Sequence, residues 1–318
     1  MRIYIVGAGA IGLLYGLRLS RAGLDVVLCT RTKEQAERLN EEGAVLQEDS
    51  RDTNVRVKAC HFEIPIAQAA PEDWIWLTVK QTAIDEALLQ KMAKLASAGA
   101  PVLCMQNGIG HLPHLQAVLP RSLLYVAVTT EGALKKDDRT VQYTGVGQVM
   151  LGLTRADQHA CREAVKKSQK MLLDAMRMAG IATFLSNESK EIERRIYQKL
   201  LANAVINPLT AIYGVTNGML PADSLRQQVM SALHSECISI LRLAGMPFDE
   251  EAAWQQVLDI CSRTFHNESS MLRDIRNGRE TEIQWINGGI SAMAKEMNLA
   301  SPLNDAVIAL IEAMKLKG

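Results

Sequence analysis

The chain has 318 residues, enough for two hydrophobic cores rather than one, and 48% of them are hydrophobic. Its 35 basic and 35 acidic residues cancel, and aromatics are only 4%, so neither a positive field nor a base-stacking platform points to a nucleic acid partner. Six cysteines without CxxC or metal-ligand spacing are expected as reduced thiols, and no apolar run reaches the about 18 residues that span a membrane, so a cytoplasmic protein is expected.

In chain order, RIYIVG predicts a short strand, followed at once by Gly7-Ala8-Gly9-Ala10-Ile11-Gly12. A helical pattern then runs to about Arg21, breaks at Ala22-Gly23 and gives way to a second strand, DVVLCT. Strand, glycine turn, helix and strand in succession is the context that makes G-x-G-x-x-G a dinucleotide signature. Gly7 permits the tight turn, Gly9 lets backbone approach a pyrophosphate, and Gly12 lets helix and strand pack closely. The free N–H groups and positive dipole end of the helix then face the phosphates. An NAD site usually carries an acid at the end of the second strand, but here the chain reads Cys29-Thr30-Arg31-Thr32-Lys33. A hydroxyl and a guanidinium suit a 2′-phosphate, so the expected cofactor is NADPH.

Further strands follow at WIWLTVK, APVLCMQNG and LLYVAVTT, ending near Lys80, Asn107 and Glu131-Gly132-Ala133. Open α/β sheets bind ligands beyond the carboxyl ends of their strands, which is where these residues would lie. TVQYTG and GQVMLG read as an antiparallel extension, 154–180 as an amphipathic helix, and IATFLSN as a last strand. A Rossmann-type, NADPH-binding domain is therefore expected over 1–187 and a helical substrate domain over 188–318, with a cleft between them.

The second half is helical in period. Its first helix carries Lys199, Asn203 and Asn207 at a spacing of four, one polar stripe on an otherwise apolar element. Burying an ammonium is costly unless something requires it. Pro208 follows directly and is expected to kink or end the helix. Further polar positions fall at Asn267 to Ser270 and at Glu282, in the first turn of a later helix. His111 and His114 are three apart, but Pro113 intervenes and no companion ligands are near, so no metal is expected.

GAGAIG, QNGIG at 106–110, KLLANAVINPLTAIYGVTNG at 199–218 and SSMLRDIRNGRETEIQWINGGI at 269–290 together resemble the ketopantoate reductases (2-dehydropantoate 2-reductases), along essentially the whole chain. The resemblance implies a Rossmann domain followed by a helical domain like that of 6-phosphogluconate dehydrogenases. It also implies NADPH-dependent reduction of 2-dehydropantoate to (R)-pantoate, a step toward pantothenate and coenzyme A. Lys199 matches the family's catalytic lysine, the general acid at the ketone oxygen. Glu282 matches a carboxylate contacting substrate hydroxyl and cofactor, and Asn107 an asparagine touching both nicotinamide and substrate. Asn203, Asn207, Asn217 and Ser270 match groups that hold the keto acid. Arg31 and Lys80 match basic residues near the 2′-phosphate, and Ala133 a backbone contact to cofactor. Glu131-Gly132 departs from members that have histidine and alanine there.

Carbonyl reduction places negative charge on oxygen, which explains a positioned ammonium; burial should lower its pKa and Glu282 should oppose that shift. A reductase of another 2-keto acid is the nearest alternative, and a non-catalytic NADPH-sensing protein is the alternative from a different class. The sequence leaves the oligomeric state open, although apolar helices of the second half could pair as a homodimer.

Overall fold

RIYIV, DVVLCT and WIWL are too short for helices and rich in β-branched and aromatic residues, which favours buried parallel strands. The computed structural model describes residues 1–63, 68–153, 162–186 and 188–315, and places them in two compact units. The first comprises Met1–Gln106 and His111–Ile192; the second comprises Asn107–Gly110 and Glu193–Gly318.

The first unit contains β1 (Arg2–Val6), α1 (Ala10–Arg21), β2 (Asp25–Thr30), α2 (Lys33–Glu42), β3 (Ala44–Glu48), β4 (Arg51–Val55), β5 (Lys58–His61) and β6 (Trp74–Leu77). It continues with α3 (Glu86–Leu95), β7 (Val102–Cys104), α4 (His111–Val118), β8 (Leu124–Thr129), β9 (Gly132–Lys135), β10 (Thr140–Gly145), β11 (Val149–Leu153), α5 (Arg162–Met178) and β12 (Thr183–Leu185). The main sheet has the order β12-β11-β8-β7-β6-β1-β2-β5. Strands β5 to β8 through β1 are parallel neighbours, while β11 runs antiparallel to β8. Among the parallel six, strand order reverses between β1 and β6, the topological switch point at which such sheets bind dinucleotides.

TVQYTG does not extend this sheet. As β10 it pairs with β9 and β3 in a separate four-stranded sheet, β4-β3-β10-β9. The alternation of its residues is compatible with either edge, and a buried ion pair that only folding assembles ties this second sheet to α1. Arg18 of α1 lies 2.7 Å from Glu131 and 2.5 Å from Glu48, and its guanidinium stacks 4.1 Å from the ring centroid of Tyr143 in β10. Tyr143 donates its hydroxyl to Glu131 at 3.0 Å. Glu131 is thus the carboxylate that ties α1 to the second sheet.

The second unit holds α6 (Ser189–Tyr213, its first turn belonging to the first unit), α7 (Ser224–Leu243), α8 (Glu250–Arg263), α9 (Ser270–Arg276), α10 (Ile283–Glu296) and α11 (Pro302–Lys315). Leu200, Leu201, Ala204 and Val205 of α6 pack with Met230, Leu233, Ile286, Ile290 and Ile311 in one core. Pro208 neither ends nor interrupts α6, which continues five residues beyond it. The carbonyl left without a helical donor by the proline is that of Ala204, and the side-chain amide of Asn287 in α10 donates to it at 3.0 Å. A neighbouring helix therefore supplies the hydrogen bond whose loss the local sequence predicts. No described helix is long and apolar enough to cross a membrane.

Arg18→Met should leave Glu131 buried without its cation, while Glu48 keeps its pairing with Arg21, and cost about 3 kcal/mol or more in urea unfolding. Adding Glu131→Gln should recover part of that loss.

Candidate functional site

The first unit presents a glycine cradle. Gly7 sits at φ +110°, where an L side chain is strained, and a Cβ there would meet Val79 at 2.8 Å. Its N–H donates to the carbonyl of Cys29 at 2.9 Å, and its carbonyl accepts from the Thr78 hydroxyl at 2.7 Å. A Cβ on Gly12 would fall 1.9 Å from that same carbonyl, so helix and turn touch backbone to backbone. Gly9 is different. It is exposed, it occupies the N-cap of α1 without any side-chain cap, and nothing lies within 4 Å of where its Cβ would be. Ala8, Ala10 and Ile11 complete the turn, with Ala8 buried and its carbonyl held by the Gln35 amide at 3.1 Å. The cradle therefore presents uncapped N–H groups beside open space, a donor set suited to a pyrophosphate.

Arg31 follows the carboxyl end of β2 and is exposed; its carbonyl lies 3.1 Å from the His61 ring nitrogen Nε2. The threonine hydroxyls beside it are engaged by the backbone. Thr30 donates to the Thr32 carbonyl at 2.7 Å, and Thr32 caps α2 by accepting from Gln35. The Thr30 proton is thus spent on backbone, while the exposed Thr32 hydroxyl, an acceptor in its cap, keeps its proton beside the guanidinium. Lys80 is exposed beyond β6, immediately before a short turn of 3₁₀ helix. Ala133 is in β9, paired with Tyr143 and packed against the core of the first unit, so it belongs to the second sheet.

The second unit brings together residues far apart in sequence. Lys199, Asn203 and Asn207 lie along α6 with graded burial: the first two are partly accessible, Asn207 is buried. Burial pushes the Lys199 ammonium down to about 8, and the charge of Glu282 opposes the shift. Glu282 is buried at the N-cap of α10, one residue before the helix, but its side chain makes no capping bond. It instead accepts from the Asn107 amide at 3.5 Å. The short strip 107–110 belongs to this unit through that contact and through Ile109, whose N–H donates to the Trp285 carbonyl at 3.1 Å.

Asn217 is buried, and its side-chain amide donates to the Thr264 hydroxyl at 2.9 Å while its carbonyl oxygen has no partner among the described residues. Ser270 is exposed at the first position of α9. Its neighbour Ser269 is the buried one, capping that helix at Leu272 and hydrogen-bonding the Thr210 hydroxyl at 2.7 Å. The ring nitrogens of His111 are buried without partners among the described residues, and burial lowers this imidazole to about 4. Sequence reasoning missed Thr78 and Asn287, both hydrogen-bonded to backbone carbonyls. For Asn287 the available signal was Pro208 itself, since a proline inside a buried helix strands a carbonyl four residues earlier.

The arrangement can supply a proton. An ammonium held near pKa 8, under the charge of one carboxylate and on the same helix as Asn203 and Asn207, can stabilise, then protonate, a growing oxyanion. Residues 3–156 match the family model "Ketopantoate reductase PanE/ApbA", and residues 191–315 match "Ketopantoate reductase PanE/ApbA C terminal". The chain is 32% identical to the 2-dehydropantoate 2-reductase of Pyrococcus horikoshii over 318 residues, covering 100% of this chain and 99% of that relative. Against the 2-dehydropantoate 2-reductase of Bacillus subtilis it is 30% identical, covering 94% and 91%. Among solved structures, D-mandelate dehydrogenase with NADH and anilino(oxo)acetate superposes with a TM-score of 0.87 at 26% identity, over 99% of this chain and 98% of that one. A PanE/ApbA family ketopantoate reductase from Ralstonia eutropha superposes at 0.84 with 25% identity, over 100% and 99%.

Gly12→Ala should lower the thermal midpoint sharply, because backbone blocks the new methyl, whereas Gly9→Ala should leave it within about 2 °C. Lys199→Met should raise the midpoint at pH 7. The folded-state pKa lies below the ordinary 10.5, so protonation opposes folding fully below about 8, and the gain should vanish as pH rises toward 10.5.

Proposed function

The chain belongs to the ketopantoate reductase family, and we propose that it reduces 2-dehydropantoate to (R)-pantoate with NADPH, toward pantothenate and coenzyme A. The observation that carries the reading is Lys199, an ammonium depressed to about 8 on a buried helix, under the charge of Glu282 and in line with Asn203 and Asn207.

The cofactor fits the residues present. Gly7 to Gly12 and the N-terminus of α1 would hold the pyrophosphate in the open space at Gly9; Arg31 and Lys80 would meet the 2′-phosphate, and Ala133 would add a backbone contact. When bound, the dinucleotide supplies the hydride. Lys199 stabilises the charge developing on the carbonyl oxygen and then donates its proton to that atom. Asn203, Asn207, Asn217 and Ser270 orient the keto acid with neutral groups, so no second buried cation competes with the lysine. Asn107 and Glu282 hold one another and receive the hydroxyl side of the substrate. In this reading residues 1–187 serve the cofactor and residues 188–318 the substrate.

A cytoplasmic setting belongs to the proposal; five of the six cysteines are described, and all five are free thiols. So does pairing of two copies through the helical unit, where Leu225 and Leu310 are 70% and 51% exposed. The zero formal charge offers no positive field to a nucleic acid.

A second reading, reduction of another 2-keto acid, is favoured by the likeness to D-mandelate dehydrogenase. Comparing kcat/KM for 2-dehydropantoate with that for aromatic and branched keto acids separates the two.

Lys199→Ala should reduce kcat for NADPH oxidation by about 10²- to 10⁴-fold, and near-native turnover would remove the proposed acid. Because the protonated lysine is the active form, kcat should fall as pH rises through about 8. Glu282→Gln should move that fall to lower pH, since the carboxylate is what holds the lysine's pKa up.

A further inference from the structure

Asn287 is fully buried in α10 and uses both amide hydrogens. One goes to the Ala204 carbonyl at 3.0 Å, and the other to Asn304 Oδ1 at 2.9 Å. The orientation of the amide is forced, because a carbonyl can only accept. Asn304 passes the connection on, donating at 2.8 Å to Glu236 Oε1 of α7. The Glu236 carboxylate also accepts the N–H groups of Leu303 and Asn304 at 2.9 and 2.8 Å, so it closes the open end of α11. Four helices thus meet on one polar chain inside an apolar core, where an unmet partner is expensive.

The Ala204 carbonyl lacks a donor within α6 because of Pro208. Any other residue at that position would give its N–H to the Ala204 carbonyl within α6. The placement along each helix is also informative. Ala204 is five residues from Lys199 on α6, and Asn287 is five residues from Glu282 on α10. At 1.5 Å of rise per residue, the bond lies about 7.5 Å along the axis from each functional side chain. Sliding α10 by one residue against α6 would break it.

We propose that Asn287 is a positioning residue: by bonding the carbonyl that Pro208 frees, it sets the axial register of α10 on α6 and so holds Glu282 in place relative to Lys199. This rests on the reading of Lys199 and Glu282 as the acid and its partner. A residue that served stability alone would need only to satisfy the Ala204 carbonyl and Asn304 Oδ1, without effect on Lys199, and that difference can be measured.

Three variants separate the roles: Asn287→Ala, Pro208→Ala, and both together. Asn287→Ala should lower the thermal midpoint and reduce kcat by about ten- to a hundredfold, the scale of a small misplacement of reacting groups. In the double variant the new N–H of residue 208 meets the Ala204 carbonyl from within α6, so the thermal midpoint should return toward native. The kcat should not return with it. In parallel, the Lys199 side-chain amine, titrated by NMR, should sit below its native value near 8 in the double variant, because Glu282 has moved away. Recovery of kcat together with stability would overturn the proposal, as would an unchanged Lys199 titration. If the native protein turns over no 2-keto acid at all, the functional reading fails instead, and the titration still decides the register.

Discussion

An ammonium group kept largely out of water is the constraint around which the second unit is arranged. A lysine on the outer face of α6 would snorkel to solvent and hold its ordinary pKa. Here burial pulls Lys199 down by more than Glu282 can restore. The cost is borne by the apolar packing of Leu200, Leu201, Ala204 and Val205 against α7, α10 and α11. Such a site is under tension by construction: the group that destabilises the fold is the one with a proton to give near neutral pH.

Glu282 shows how a residue that looks like a helix cap becomes something else. Carboxylates are favoured at helix N-termini, and its position immediately before α10 invites that assignment. Its side chain nevertheless makes no capping bond, and one of its oxygens accepts from Asn107 instead. Asn107 follows a strand of the first unit in sequence, yet packs with the second. A carboxylate released from capping is free to tune a neighbouring cation. The same economy appears at α9, where Ser269 takes the capping role and leaves Ser270 accessible.

In the first unit the comparable constraint is steric. The turn after β1 has room for no methyl at Gly7 or Gly12, and open room at Gly9. Thr78 locks the Gly7 carbonyl from β6's end of the switch point, so the cradle is set by two strands rather than one. Arg18, on the helix that follows, pairs with Glu131 and Glu48 from the second sheet.

Local sequence determined a good deal. The glycine turn, the strands at β1, β2 and β6, the exposed Arg31 and the stripe of Lys199, Asn203 and Asn207 all follow from short-range rules: φ angles, alternation and the 3.6-residue period. These rules act within a few residues, so a single segment carries the whole signal. Tertiary structure decided the rest. It put TVQYTG in a second sheet, and it joined Glu131 to Arg18, a partner over a hundred residues away. It continued α6 past Pro208, with Asn287 donating to the stranded carbonyl of Ala204. It turned the proton of the Thr30 hydroxyl to backbone. In each case a buried polar group had to find its complement, and which complement it meets depends on how distant elements pack, information that no local window contains.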